Sequence, residues 1–179
     1  MTNYLCIGVD PGYKSSATGI GLASGGVLLD SFSRHLAGEY PGQRIRSFRD
    51  LIESLIRDVR KGIYGPNRIG LLVWEEPYCK VIRKGKIAIP IVTPYRCLSY
   101  LEGRLYESCE ELGVPYFPAS NKQIKKALCE MGGAAKKSGM LAAAERLASK
   151  SFTDQDEADA VVIAYYAERV FEGMREANE

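Results

Sequence analysis

The spacing of apolar and polar positions divides the chain into short sheet-like runs and longer helical ones. Tyr4-Leu5-Cys6-Ile7-Gly8-Val9-Asp10 is almost continuously apolar, and it closes on a carboxylate followed by Pro11-Gly12. This predicts a buried strand over Leu5–Asp10 that ends in a tight turn. Ala17–Ala23 and Val27–Phe32 follow as further strands, joined by Ser24-Gly25-Gly26. A glycine pair in a short connection between apolar runs signals a hairpin, so the chain opens as a three-stranded antiparallel meander. From Arg44 to Arg60 the period becomes helical, with Ile45, Phe48, Leu51, Ile52, Leu55, Ile56 and Val59 on one face. Gly62 and Gly65-Pro66 end that helix. Ile69–Trp74 is a strongly apolar central strand, expected parallel to the first, and it runs into Glu75-Glu76-Pro77.

The second half continues the alternation. Tyr78–Pro94 reads as irregular and basic, with the makings of a small hairpin of its own. A helix is predicted from Tyr95 to Leu112, striped by Leu98, Leu101, Leu105, Cys109 and Leu112. Val114–Pro118 is a short fifth strand. Helical stretches Asn121–Met131 and Lys136–Ser149 flank Gly132-Gly133, and a last helix covers Asp156–Glu172. The order βββαβαβα predicts an α/β fold, a five-stranded mixed sheet flanked by helices. With 179 residues, enough for one full core, and no repeat or linker, residues 1–179 are expected to form one domain.

Composition narrows the setting. No apolar run is long enough to span a bilayer, and the first residues enter a strand without the charged and apolar regions of a secretory signal. The five cysteines (Cys6, Cys79, Cys97, Cys109, Cys129) are odd in number, scattered and without a CxxC pair. They disfavour a disulfide framework and a zinc site, and fit a reducing compartment such as the cytoplasm. Net charge is only +2, but its distribution is uneven. Lys61 to Arg104 holds eight Lys/Arg against three Asp/Glu, Ala119 to Lys150 seven against two, and Ser151 to Glu179 two against eight. Such asymmetry suits a basic track beside an acidic patch.

The chemistry concentrates in the acids. A carboxylate is costly to bury unless something supplies the missing charge, and a divalent cation at the mouth of a sheet does so. Asp10 and Glu75 end strands expected to be neighbours, and Asp156 and Asp159 are three apart, on one helical face. Each acid has an ordinary structural use: Asp10 in a turn, Glu75 and Glu76 in a loop, and Asp154, Asp156, Glu157 and Asp159 at a helix start. Their coincidence at the ends of the right elements suggests more. Two Mg²⁺ ions roughly 3.5–4 Å apart can generate a nucleophilic water and stabilise a leaving oxygen in phosphodiester cleavage, and hard cations take carboxylate ligands. His35, the only histidine, follows a strand and reads as a surface residue.

This ordered set resembles the RuvC-type Holliday junction resolvases of the RNase H-like superfamily. Ile7-Gly8-Val9-Asp10-Pro11-Gly12, followed by Thr18-Gly19-Ile20-Gly21, is similar to that family's opening strand and turn. Val73-Trp74-Glu75-Glu76 resembles its second motif, and Asp156-Glu157-Ala158-Asp159-Ala160-Val161 its terminal one. The likeness runs from about Tyr4 to Ala167. It implies an RNase H-like fold and a magnesium-dependent endonuclease of two ions per site, with Mn²⁺ as a substitute, that nicks four-way DNA symmetrically and leaves a 5′-phosphate. It makes Asp10, Glu75, Asp156 and Asp159 the metal ligands, and Glu76, Glu157 and Asp154 supporting or surface acids. Lys125 and Lys137 match the family's lysines near the scissile phosphate, with Lys126 and Lys136 as adjacent alternatives. Tyr78 corresponds to an aromatic that enters the open junction centre, where stacking on a base is worth roughly 1–3 kcal/mol. Lys80, Arg83, Lys84, Lys86, Lys122 and Lys136 would bind the nucleic-acid backbone. The family's twin packing of the Leu98–Leu112 helix implies a homodimer that presents two sites to two symmetric strands.

Three other readings compete. Asp10-x-Gly followed by Thr18 also resembles the phosphate turn of actin-like ATPases, but those need two such domains and a second glycine-rich loop. A non-catalytic nucleic-acid-binding module would not require the full carboxylate set. A nuclease of the same fold acting on other branched DNA or on structured RNA shares every residue named above.

Overall fold

A computed structural model describes residues 4–13, 17–77, 81–84, 87–90, 92–128 and 137–177, with only the backbone of 81–84, 87–90, 92–94, 137 and 138. Strands β1 (Tyr4–Asp10), β2 (Thr18–Ser24) and β3 (Val27–Arg34) form the expected meander. The β2–β3 turn places Gly25 at φ +63° and Gly26 at φ +76°, the left-handed pair that a tight two-residue hairpin turn requires. Helix α1 (Pro41–Arg60) leads to β4 (Arg68–Glu75), then β5 (Val81–Lys84), β6 (Ile87–Pro90), α2 (Val92–Leu112) and β7 (Tyr116–Ala119). Helices α3 (Asn121–Leu128), α4 (Lys137–Ala148) and α5 (Gln155–Glu176) complete the chain.

The main sheet has the order β3-β2-β1-β4-β7, mixed as expected: β1 pairs antiparallel with β2 and parallel with β4, and β4 pairs parallel with β7. Two helices start three residues earlier than the sequence reading has them. α1 starts at Pro41 rather than Arg44, and α2 at Val92 rather than Tyr95. In both cases a proline occupies the first turn, where its missing N–H forgoes no helical hydrogen bond. The segment expected to be irregular contains β5 and β6, a separate antiparallel hairpin with Ile82 opposite Ile89 and Lys84 opposite Ile87.

Alternation along the strands sorts side chains between two cores. Leu5, Ile7 and Val9 of β1, with Leu72 and Trp74 of β4, pack beneath α1 and α2. The stripe residues Leu101, Leu105 and Cys109 are fully buried there, so most of that stripe belongs to the chain's own core. On the opposite face Cys6, Leu71 and Val73 meet α5, α4 and Ile124 of α3. Glycines let α5 approach this face at backbone distance. A Cβ at Gly8 would lie 2.2 Å from the Ala164 nitrogen, at Gly19 1.9 Å from the Asp156 carbonyl oxygen, and at Gly21 2.6 Å from that of Ala160. Gly8 shares its face with Asp10, and Val73 shares its face with Glu75. Both strand-end acids therefore fall on the side that α5 covers.

Candidate active site

The parallel register aligns Val9 with Trp74, which brings the next residues, Asp10 and Glu75, side by side at the carboxyl ends of β1 and β4. Open α/β sheets bind ligands in the crevice outside these ends. A cleft of about 570 Å³ opens there, lined by Asp10, Glu75, Glu76, Lys122, Lys125, Asp156 and Asp159 among others. Acids from β1, β4 and α5, and lysines from α3, thus converge from four elements.

Glu75, Asp156 and Asp159 are each held by a specific donor. Glu75 ends β4, and its Oε2 accepts a 2.7 Å hydrogen bond from Asn121 Nδ2. Burial pushes its pKa up, opposed by the Asn121 hydrogen bond and then by the positive charge of Lys125. Asp156 Oδ2 accepts from the Ala17 backbone N–H at 2.8 Å, tying the start of α5 to the chain entering β2. Asp159 Oδ1 accepts from Gln155 Nε2 at 2.6 Å, one helical turn away.

The neighbouring acids have other duties. Asp154 caps α5: its side chain accepts from the backbone N–H groups of Asp156 and Glu157, and Ser33 Oγ donates to its other oxygen at 2.7 Å. The Ser33 hydrogen bond leads in holding its pKa down. Glu157 accepts from Ser31 Oγ at 2.6 Å and pairs with Lys150 at 3.1 Å, on the β3 side of the helix. Asp154 and Glu157 therefore clamp α5 to the edge strand, while Asp156 and Asp159 line the cleft. Glu76 lines the cleft too, with its N–H bonded to the Ala119 carbonyl at 2.9 Å. His35 is exposed, as expected.

The donor chemistry fits a hard divalent cation: the acids that line the cleft are carboxylates and would present oxygen alone, and one of them, Glu75, is an ionisable group disfavoured by its burial. The side chains as placed do not close a cage. Among the described residues no three Asp, Glu, His or Cys groups stand close enough together to enclose an ion.

Of the predicted lysines, Lys125 and Lys122 reach the cleft, whereas Lys126 is exposed on α3 and is not in its lining. Lys137 opens α4, and Arg83 and Lys84 lie in β5; only their backbone is described. Tyr78, Lys80, Lys86 and Lys136 lie outside the described residues. Sequence reasoning missed Asn121, Gln155 and Ala17, whose roles arise from tertiary contact. The one local signal, a Ser-x-x-Gln box at Ser120 and Gln123 that starts α3, predicts the helix but not what its first residue touches.

Comparison with known proteins places this geometry in context. No protein-family model and no curated protein matches the chain. Among solved structures, it resembles Thermus thermophilus RuvC with a TM-score of 0.67 at 19% identity, covering 96% of each chain. It also resembles T. thermophilus RuvC in complex with a Holliday junction substrate, with a TM-score of 0.66 at 17% identity and again 96% of each chain. At these identities the likeness is one of fold, and it matches the five-stranded α/β architecture expected from the element order and the RNase H-like fold that the motif resemblance implied. Among the described residues no helix is long and apolar enough to cross a membrane.

Proposed function

We propose that this protein is a Holliday junction resolvase, a homodimeric Mg²⁺-dependent endonuclease that nicks four-way DNA symmetrically. One observation carries the reading: strand-end acids Asp10 and Glu75 share a cleft with Asp156, Asp159 and Lys125. They do so on a fold that resembles that of T. thermophilus RuvC in complex with a Holliday junction substrate.

In this reading Asp10, Glu75 and Asp159 would hold the Mg²⁺ ions, and Asp156 would complete the set with the oxygen left over from its bond to Ala17. The bound ions would supply positive charge that favours a nucleophilic water and a stabilised leaving oxygen, with Mn²⁺ able to substitute. The chain's own part is to orient. Lys125 and Lys122, on successive turns of α3, would hold the phosphate oxygens facing the acids, with Lys137 as a further phosphate contact. Water's oxygen forms the new P–O bond, the 3′ oxygen leaves and takes up a proton, and the products carry a 5′-phosphate and a 3′-hydroxyl. Tyr78 and the basic stretch Lys80, Arg83, Lys84, Lys86 and Lys136 would meet the branch point and its backbone.

Cleavage of a panel of four-way junction, flap, duplex and RNA–DNA hybrid in Mg²⁺ tests the substrate assignment. The expected result is paired, symmetric nicks in the junction at a rate well above those on the other three. Preferential cutting of the RNA–DNA hybrid, or of the flap, would overturn the resolvase reading while leaving the fold untouched.

A further inference from the structure

We propose that Asn121 is a positioning residue for Glu75, holding that carboxylate toward a divalent cation without neutralising it. The inference rests on the metal-site reading of the cleft and concerns a residue which that reading does not use. Asn121 Nδ2 donates to Glu75 Oε2 at 2.7 Å, and this is the hydrogen bond to the Glu75 side chain among the described residues. Both residues line the cleft.

The chemistry of the donor is the argument. A buried carboxylate at a strand end needs a partner, and the strongest ordinary choice is Lys or Arg. A cation bonded directly to Glu75 would cancel the charge that a metal requires. A carboxamide supplies a directional N–H, fixes one oxygen and leaves the negative charge in place. Groups that orient a ligand in this way affect metal affinity although they never touch the ion. Lys125 contributes positive charge near Glu75 but is not bonded to it in this arrangement.

Asn121 is also not needed to build its own helix. Ser120 and Gln123 form the reciprocal box that starts α3: the Ser120 N–H donates to Gln123 Oε1 at 2.8 Å, and the Gln123 N–H donates to Ser120 Oγ at 3.4 Å. Ile124, fully buried, anchors α3 in the core against α5. Pairing of β4 with β7, in which Glu75 faces Ala119, independently fixes the strand that leads into α3. The Asn121 side chain is therefore available to orient Glu75. It also sets the register between that acid and the lysines that follow one and four residues later, Lys122 and Lys125.

Calorimetric titration of the full chain with Mn²⁺ in the absence of DNA tests this, with melting temperature measured in parallel. The proteins are wild type, Asp10→Asn, Asn121→Ala and Asn121→Lys. Asn121→Ala removes the donor, and its Mn²⁺ Kd is expected to rise about tenfold or more. Asn121→Lys restores a donor but adds charge. It is expected to melt no lower than wild type, yet to bind Mn²⁺ at least tenfold more weakly. A purely structural stitch would be served as well by lysine as by asparagine. Asn121→Ala binding Mn²⁺ with the wild-type Kd overturns the proposal. If Asn121→Ala does not fold, Asn121→Lys decides in the same way: weakened binding supports the proposal and a wild-type Kd overturns it. Absence of Mn²⁺ binding by wild type, or a wild-type Kd for Asp10→Asn, instead overturns the metal-site reading and this inference with it.

Discussion

Glu75 is where the competing demands on this molecule are most visible. Burial raises its pKa above the ordinary 4.5, which means that the fold disfavours its charged form. The sign follows from linkage: the stabilising contribution of a raised carboxyl is complete below the unfolded pKa and is lost as pH rises through the folded value. In EDTA, Glu75→Gln should therefore melt above wild type at pH 8, with the gap closing toward pH 4. A lower melting temperature for Glu75→Gln at pH 8 would contradict this. A residue that weakens the fold where it must be charged is what a ligand-binding acid looks like. At this scale the sequence was informative about residue types and silent about partners. Asp10 and Glu75 were legible because each ends an apolar strand before a turn. Glu157 could be separated from Asp156 and Asp159 only once Ser31 and Lys150 were seen to hold it on the far side of α5.

At the scale of elements, placement of α5 decides whether a site exists. The helix carries Asp156 and Asp159, and it reaches the ends of β1 and β2 because Gly8, Gly19 and Gly21 offer no side chain to hold it off. A Cβ at Gly19 would lie 1.9 Å from the Asp156 carbonyl oxygen, a backbone atom that cannot turn aside. Gly19→Ala is expected to destabilise the fold by about 3 kcal/mol, toward the upper end for overpacking. Gly173→Ala on the same helix, where nothing lies within 4 Å of the added methyl, should be neutral or stabilising by up to about 1 kcal/mol. Urea denaturation of the two variants checks the pair, and equal stabilities would contradict the packing argument. Strands and helices were legible here because their apolar periods are strong. The early starts of α1 and α2 were not, since Pro41 and Pro94 lie ahead of the apolar periods, although a proline in the first turn is compatible with a helix. The β5–β6 hairpin was only half legible, its basic residues having obscured a short alternating pattern.

For the whole molecule, a mixed sheet separates two cores and directs its acidic ends toward one cleft. The fold was readable from the order of elements, and structures at 17–19% identity share it over 96% of the chain. The cleft was readable only as a set of residues whose strand ends ought to meet. Convergence of the set on one cleft depends on parallel pairing of β1 with β4 and on close approach of α5, both tertiary facts. The proposed dimer is harder still to read, because the α2 stripe that suggested it is buried in the chain's own core and leaves Tyr95, Tyr100 and Tyr106 on the exposed side. The central claim is that Asp10 anchors a metal-dependent nuclease site. Its most direct test is the single-turnover rate at which a four-way junction is nicked in Mg²⁺ by wild type and by Asp10→Asn, with equal melting temperatures verified beforehand. Loss of a carboxylate that would hold the metal ions should remove several kcal/mol of transition-state stabilisation, so the rate is predicted to fall at least about a thousandfold. Asp10→Asn nicking the junction as fast as wild type would contradict the account.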